Sequence, residues 1–306
     1  MGYLPKKGGA FELVEFQSSG RDVQGGLFSP DPTLFEEPKT AVVLVHGVES
    51  YWYSAPTMFL ACNLAAEGYT VLGYNGVHSG DSFRTSEFET AVHEVGDAVT
   101  FIKARGFDRV FLAGHSLGTP IVEYYQGDDP DTAVKAVGVY GPHIDIPGVT
   151  RDSLLGPELY QEFAAECREL VAAGKGHEIK LLPFREGRVI ITSAKTFLSY
   201  RDVETSRAAV AEMVRRIKVP LLIVYDAGDN IRGKGTVTLR KTIAREIKAS
   251  AVNSPRADIV VIPSRPGNSP FQAHLFVNND NTVTRETVAW LKAVGLSPAP
   301  PRFVTQ

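Results

Sequence analysis

Residues Phe11–Gln17 (FELVEFQ) alternate apolar and polar side chains, the two-residue period of a strand with one wet face. The stretch SSGRDVQGG then reads as a turn into a second strand near Gly26–Ser29, giving an antiparallel leader. After the polar, proline-containing PDPTLFEEPK the pattern changes. TAVVLVHG is a continuous β-branched run of the kind that suits a strand buried on both faces, and APTMFLACNLAAEGY then carries apolar residues at helical spacing up to Gly68. The alternation repeats in order: Tyr69–Asn75 as a strand, Glu87–Gly106 as a helix, RVFLAGHS as a strand, LGTPIVEYY as a helix and Ala133–Gly141 as a strand. Such alternation predicts βαβ units and a parallel sheet with helices on both faces.

Between Pro142 and Lys218 the rhythm breaks. Two helical segments, Glu158–Ala173 and Val203–Ile217, flank a mixed stretch, which reads as an excursion from the sheet. The strand–helix order returns with VPLLIVYD, TVTLRKTIAREIKA, ADIVVIP and TVTRETVAWLKAVG, and the proline-rich tail LSPAPPRFVTQ follows. The organisation expected is a core of residues 1–145 and 203–306 interrupted by an insertion over 146–202.

Composition adds mainly exclusions. The 306 residues are 43% hydrophobic and 22% charged with a formal net charge of -3, which gives no reason to expect nucleic acid or an anionic membrane as a partner. No window approaches the roughly 18–20 apolar residues that span a bilayer. Cys62 and Cys167 lack metal-ligand spacing and are too few for a disulfide framework, so both are expected as buried thiols in a reducing compartment. No apolar stretch follows Lys6 and Lys7, so the default expectation is a cytoplasmic protein. The oligomeric state stays open, a homodimer among the options.

The candidate chemistry sits in FLAGHSLGTP. Ser116 lies between Gly114 and Gly118 where a strand gives way to a helix, and a turn that sharp needs small residues two positions either side so that strand and helix can pass. A hydroxyl held there projects into a crevice at the sheet's carboxyl edge and is a candidate nucleophile. It needs a base oriented by a carboxylate. Among seven histidines, His274 falls between the last strand and the last helix. Asp229, further into the loop after VPLLIVYD, is preferred to Asp226 as the acid because it reaches further across. His46, which ends a strand, more readily buttresses a turn than titrates. His115 is expected to pack or line the pocket, and His143 to line it. Glu49, Tyr51, Trp52 and Tyr53 are placed at the pocket mouth, and His46, Glu49, Trp52, His115 and His143 are together taken as the substrate-binding set.

With VVLVHG, AGHSLG, VPLLIVYDAGD and AHLF in this order, the chain resembles the α/β-hydrolase superfamily in its serine-nucleophile, esterase- and lipase-like branch, over roughly Thr40–Gly295. The resemblance implies an α/β-hydrolase fold, a mostly parallel central sheet of about eight strands, and a helical cap inserted after the sixth strand. It implies catalysis by Ser116, Asp229 and His274, with an oxyanion hole from the N–H groups of Val48 and Leu117. It also implies a cofactor- and metal-independent enzyme acting on a small-molecule carboxylic ester, thioester or lactone. Two alternatives remain: carbon–carbon hydrolysis, lyase or acyl-transfer chemistry with the same triad, and a non-catalytic ligand receptor on this fold. Epoxide hydrolases and haloalkane dehalogenases of this fold carry aspartate at the turn, so Ser116 argues against both. In the insertion, Leu154, Leu155, Tyr160, Phe163, Leu181, Leu182, Phe184, Phe197 and Tyr200 are read first as its own core and second as pocket lining. Arg185 and Arg188 are read first as solvated surface and second as partners of a substrate carboxylate.

Overall fold

A computed structural model describes residues 9–185 and 188–302. Eight of its strands form one sheet: β1 (Ala10–Ser18), β2 (Arg21–Ser29), β3 (Thr40–Val45), β4 (Thr70–Tyr74), β5 (Arg109–His115), β6 (Val134–Tyr140), β9 (Leu221–Asp226) and β12 (Ala257–Ile262), in the spatial order β1-β2-β4-β3-β5-β6-β9-β12. β1 pairs antiparallel with β2 and β2 with β4; from β4 to β12 every pairing is parallel. The second strand starts earlier than its pattern suggests. Ser19 and Gly20, both at positive φ, close a two-residue turn, so pairing begins at Ser18–Arg21.

The inner strands are buried on both faces, and alternation divides their side chains between two cores. Ala41, Val43 and Val45 of β3 and Val110 and Leu112 of β5 pack with α2 (Phe88–Ala104), α3 (Gly118–Asp128) and α8 (Arg240–Ser250). Val42, Leu44, Phe111 and Ala113 point the other way, toward α1 (Thr57–Ala66) and α10 (Asp280–Ala293). α1 ends as expected: Gly68 takes φ 98° and the Tyr69 N–H reaches back to Leu64 O.

Between β6 and β9 the chain leaves the sheet through α4 (Ile146–Val149), a π-helical turn (Thr150–Leu155), α5 (Pro157–Ala172), a hairpin of β7 (Ile179–Arg185) and β8 (Arg188–Ser193), α6 (Ala194–Arg201) and α7 (Ala211–Arg216). The segment therefore contains a hairpin as well as helices. The helix expected over Val203–Ile217 shrinks to α7, because the backbone before it is engaged elsewhere: Val210 N–H donates to Ile144 O, and Ile146 N–H to Ala208 O. Leu155, Tyr160, Phe163, Leu182, Phe197 and Tyr200 are buried in the same apolar cluster as α2 and α3, while Leu181 is exposed. The side chains of Phe184, Arg185 and Arg188 lie outside the described residues.

After β9, a two-residue ladder of β10 (Asn230–Ile231) and β11 (Thr238–Leu239) precedes α8, and the one-turn helix α9 (Pro270–His274) precedes α10. No helix among the described residues is long and apolar enough to cross a membrane.

Candidate active site

Ser116 sits immediately beyond β5 and is held at φ 54°, a left-handed conformation costly for any residue with a Cβ. Its surroundings fix that conformation. The Ser116 N–H donates to Tyr140 O on the neighbouring strand, and its carbonyl accepts from both the N–H and the hydroxyl of Thr119. The flanking glycines are sterically required. A Cβ on Gly114 would stand 2.2 Å from Gly118 O, and one on Gly118 would stand 2.4 Å from Val45 O. The backbone after β3 passes equally close, since a Cβ on Gly47 would lie 3.0 Å from the Ser116 Cβ.

His274 ends α9, whose start is fixed by reciprocal bonds between Ser269 and Gln272. Its Nδ1 lies 2.8 Å from Asp229 Oδ2, and both residues are buried. Asp229 is delivered by the tight turn after β9, in which its N–H donates to Asp226 O. Asp226 serves the loop instead: its Oδ1 accepts from Gly228 N–H and its Oδ2 from the Asn279 amide. The structure thus brings Asp229, and not Asp226, to the imidazole.

Two neighbours of this pair escape the sequence pattern. Arg240, 3% exposed, donates from Nε to Asp229 Oδ2 at 2.9 Å and from a terminal nitrogen to Pro142 O at 2.6 Å. Its other terminal nitrogen is 3.3 Å from His274 Nδ1, so the shorter aspartate contact claims the Nδ1 proton and leaves Nε2 as the basic nitrogen. Burial pushes the Asp229 carboxyl up, but the charges of Arg240 and His274 outweigh it and hold it at about 2. Gly141 is the second. At φ 55° it lets the backbone run under the imidazole, where a Cβ would stand 2.8 Å from the ring.

A cavity of about 480 Å³ opens beside these groups, lined by Val48, Ser116, Leu117, His143, Arg201 and His274 among others. A second, of about 310 Å³, shares Val48, Ser116, Phe271 and His274 with it and extends past Glu49, Tyr51 and His115. Ser116 and His274 therefore stand where two lobes meet. The backbone N–H groups of Val48 and Leu117 have no acceptor among the described residues. Leu117 lies at the head of α3, the positive end of that helix.

The five residues expected to bind substrate separate. His143 lines the larger lobe, and Glu49, at φ 52°, the smaller. His115 also lines the smaller lobe, but its stronger tie is to His274: the rings are 4.7 Å apart, and its Nε2 donates to the His274 carbonyl at 3.0 Å. Burial, followed by the nearby His274, lowers the His115 pKa well below the usual imidazole range, so it stays neutral. His46 and Trp52, contrary to expectation, line neither lobe. His46 is fully enclosed, with Nδ1 donating to Gly47 O and Nε2 accepting from Gly76 N–H, and burial lowers its pKa to about 4. It buttresses the turn beneath Val48. Trp52 packs against Phe11, Phe28 and the Cα side of Gly26, on the apolar face away from the serine. Tyr53 is exposed, while Leu154 of the insertion does reach the larger lobe. Among the described residues no group of three or more histidine, cysteine, aspartate or glutamate side chains is placed to share a metal ion.

Comparison with known proteins fits this architecture. A family model described as serine aminopeptidase, S33, matches residues 36–174, somewhat under half of the chain. Epoxide hydrolase B of Mycobacterium tuberculosis is 30% identical over 114 residues, 35% of this chain and 32% of that protein. Epoxide hydrolase 3 of Siraitia grosvenorii is 35% identical over 98 residues, 31% and 30% of the two chains. The chain thus spans about a third of the length of the curated relatives it matches. Solved structures align over nearly the whole fold. Est1E from Butyrivibrio proteoclasticus superposes with a TM-score of 0.66 at 17% identity, covering 92% of this chain and 98% of that one. A thermostable carboxyl esterase from Bacillus coagulans gives 0.67 at 14% identity, covering 93% and 99%.

Proposed function

The chain is an α/β-hydrolase by fold, and on that premise we propose that it hydrolyses a small carboxylic ester, with thioesters and lactones inside that class, through an acyl-enzyme on Ser116. The observation that carries this reading is the junction of the two lobes, where a serine held on a strained turn shares one rim with an imidazole bonded to a buried aspartate. Ser116 Oγ attacks the ester carbonyl while His274 Nε2 takes its proton. Asp229 holds the Nδ1–H tautomer and stabilises the imidazolium that forms. The Val48 and Leu117 N–H groups meet the oxyanion, each worth on the order of a hundredfold in rate. His274 then protonates the leaving alcohol, and water activated by the same nitrogen releases the acid. The acyl and alcohol halves of the substrate occupy the two lobes, and the segment over 146–202 acts as the cap that selects them. Serine at the turn, rather than aspartate, favours ester cleavage over the epoxide chemistry named for the partial relatives.

The test pairs labelling with turnover. A fluorophosphonate probe should modify Ser116, and the wild-type enzyme should turn over 4-nitrophenyl acetate or butyrate. Ser116→Ala should lose both, with turnover falling on the order of a millionfold and the melting temperature nearly unchanged. A labelled serine with neither ester cleaved would direct the reading toward carbon–carbon or lyase chemistry. An unlabelled serine would leave a receptor.

A further inference from the structure

Among the described residues, the lining of the larger lobe is electrically unbalanced: it holds three arginines, Arg201, Arg232 and Arg240, and one carboxylate, Asp229. That carboxylate is already taken by Arg240 and His274. Arg232 is exposed to solvent, whereas Arg201 is only 4% exposed. Its guanidinium donates one hydrogen bond, to the neutral hydroxyl of Thr150 at 2.9 Å, and among the described residues its other N–H groups have no acceptor. Burial lowers its pKa to about 10, offset in part by the charge of Glu49, so it remains a cation at neutral pH. A buried cation without a bonded counter-charge is costly, and a guanidinium presents the planar fork that fits a carboxylate.

Two further features indicate that the lobe is built for a ligand. Arg201 is pre-positioned, because the residues before it are bonded to the start of α2: Ser199 Oγ accepts from Phe88 N–H at 2.8 Å, and Tyr200 Oη donates to Glu87 O at 3.1 Å. His143, in the same lining and also nine-tenths buried, has an Nδ1 with no partner. We propose that Arg201 binds a free carboxylate carried by the substrate, so that the protein acts on a monoester of a dicarboxylic acid or an equivalent anionic ester. This rests on the serine-hydrolase reading above and goes beyond it by naming the substrate class.

The experiment compares kcat/KM for 4-nitrophenyl butyrate with that for mono-4-nitrophenyl glutarate, which adds one carboxylate to a similar acyl chain. The charged-to-neutral ratio should be well above one in the wild type. It should fall on the order of 10- to 100-fold in Arg201→Met and less in Arg201→Lys, which keeps the charge but not the fork. A wild-type ratio at or below one overturns the proposal, as does a high ratio that survives Arg201→Met. A second measurement needs neither turnover nor a folded variant: glutarate should slow fluorophosphonate labelling of wild-type Ser116 more than butyramide does. Equal protection by the two refutes the carboxylate site. Loss of labelling altogether removes the hydrolase reading instead, which separates the two failures.

Discussion

Replacing Asp229 or Asp226 by asparagine separates catalysis from stability, because the two carboxylates lie three residues apart and hold different things. Arg240 Nε and His274 Nδ1 both meet one oxygen, Asp229 Oδ2, so in Asp229→Asn the amide oxygen takes that position and accepts from both, leaving a neutral group beside the imidazole. The tautomer is kept, but the negative charge that stabilises the imidazolium formed when His274 takes the Ser116 proton is gone. Losing the aspartate of a working triad costs on the order of 10⁴ in kcat. Arg240 also loses its buried counter-charge, with a stability cost near the lower end of the roughly 3–5 kcal/mol for breaking a buried pair, since Pro142 O still accepts from it. In Asp226→Asn, whose two oxygens hold separate donors, a clash arises at Asn279, where two amide groups meet and one buried bond is lost. That costs about 1–3 kcal/mol, or roughly 2–6 °C in melting temperature, with kcat within several-fold of wild type. Steady-state kinetics well below both melting points, with thermal melts on the same samples, give the answer. If Asp226→Asn lowers kcat more than Asp229→Asn, or if Asp229→Asn keeps over a tenth of wild-type kcat, the assignment of the acid is wrong.

Two predictions concern buried titratable groups other than Asp229 and His274. Glu123 on α3 is fully enclosed, both its oxygens lack partners among the described residues, and burial raises its pKa well above 4.5. The unfolded chain ionises there above about pH 4.5 while the folded protein stays protonated, so stability falls by about 1.4 kcal/mol per pH unit until the folded pKa is reached. Glu123→Gln should therefore stabilise the protein more at pH 8 than at pH 5, and an equal gain in urea melts at both would refute the linkage. His46, His78, His115 and His143 act in the opposite sense, since burial depresses all four. Each stays neutral in the folded protein while the unfolded chain protonates below about 6.5, so their contribution is present at neutral pH and lost as pH falls. His46 alone, with a folded value of about 4, accounts for about 3 kcal/mol over that window. Urea melts in the Glu123→Gln background should show a steep loss of stability between pH 7 and 5; a flat profile would show that these imidazoles titrate freely.

What the sequence revealed depended on whether the signal was local. The β-branched runs of β3, β5 and β9 declare themselves because a strand covered on both faces has no polar position to hide. Ser116 is legible because its two glycines are a steric demand of one turn. His274 and Asp229 follow from chain order along the sheet edge. Arg240 and Arg201 carry no such mark: each sits at a helix end in a charged stretch that reads as solvated, and their burial arises only when distant segments close over them. Gly141 is hidden for the same reason, since the imidazole it accommodates comes from residue 274. His46 and Trp52 fail in the other direction. Being next to Val48 in the chain fixes their distance from the cavity but not the side of the backbone from which they project.

The seams around residues 146–202 bear on how the proposed substrate would get in. One edge is sewn to α2 through Ser199 and Tyr200, with Tyr200 set edge-on to Phe88 at 5.8 Å. The other is sewn to the loop after Asp229, where the N–H groups of Lys234, Gly235 and Thr236 donate to the carbonyls of Leu154, Ser153 and Asp152. Under the proposed function, a segment fastened along both margins would serve as a fixed roof rather than a swinging flap over the larger lobe, which Phe271 and Arg232 also line. Exchanging the segment for a relative's would tear both margins at once, so, if the proposed hydrolase activity holds, its substrate preference would have to be re-engineered in place, one side chain at a time.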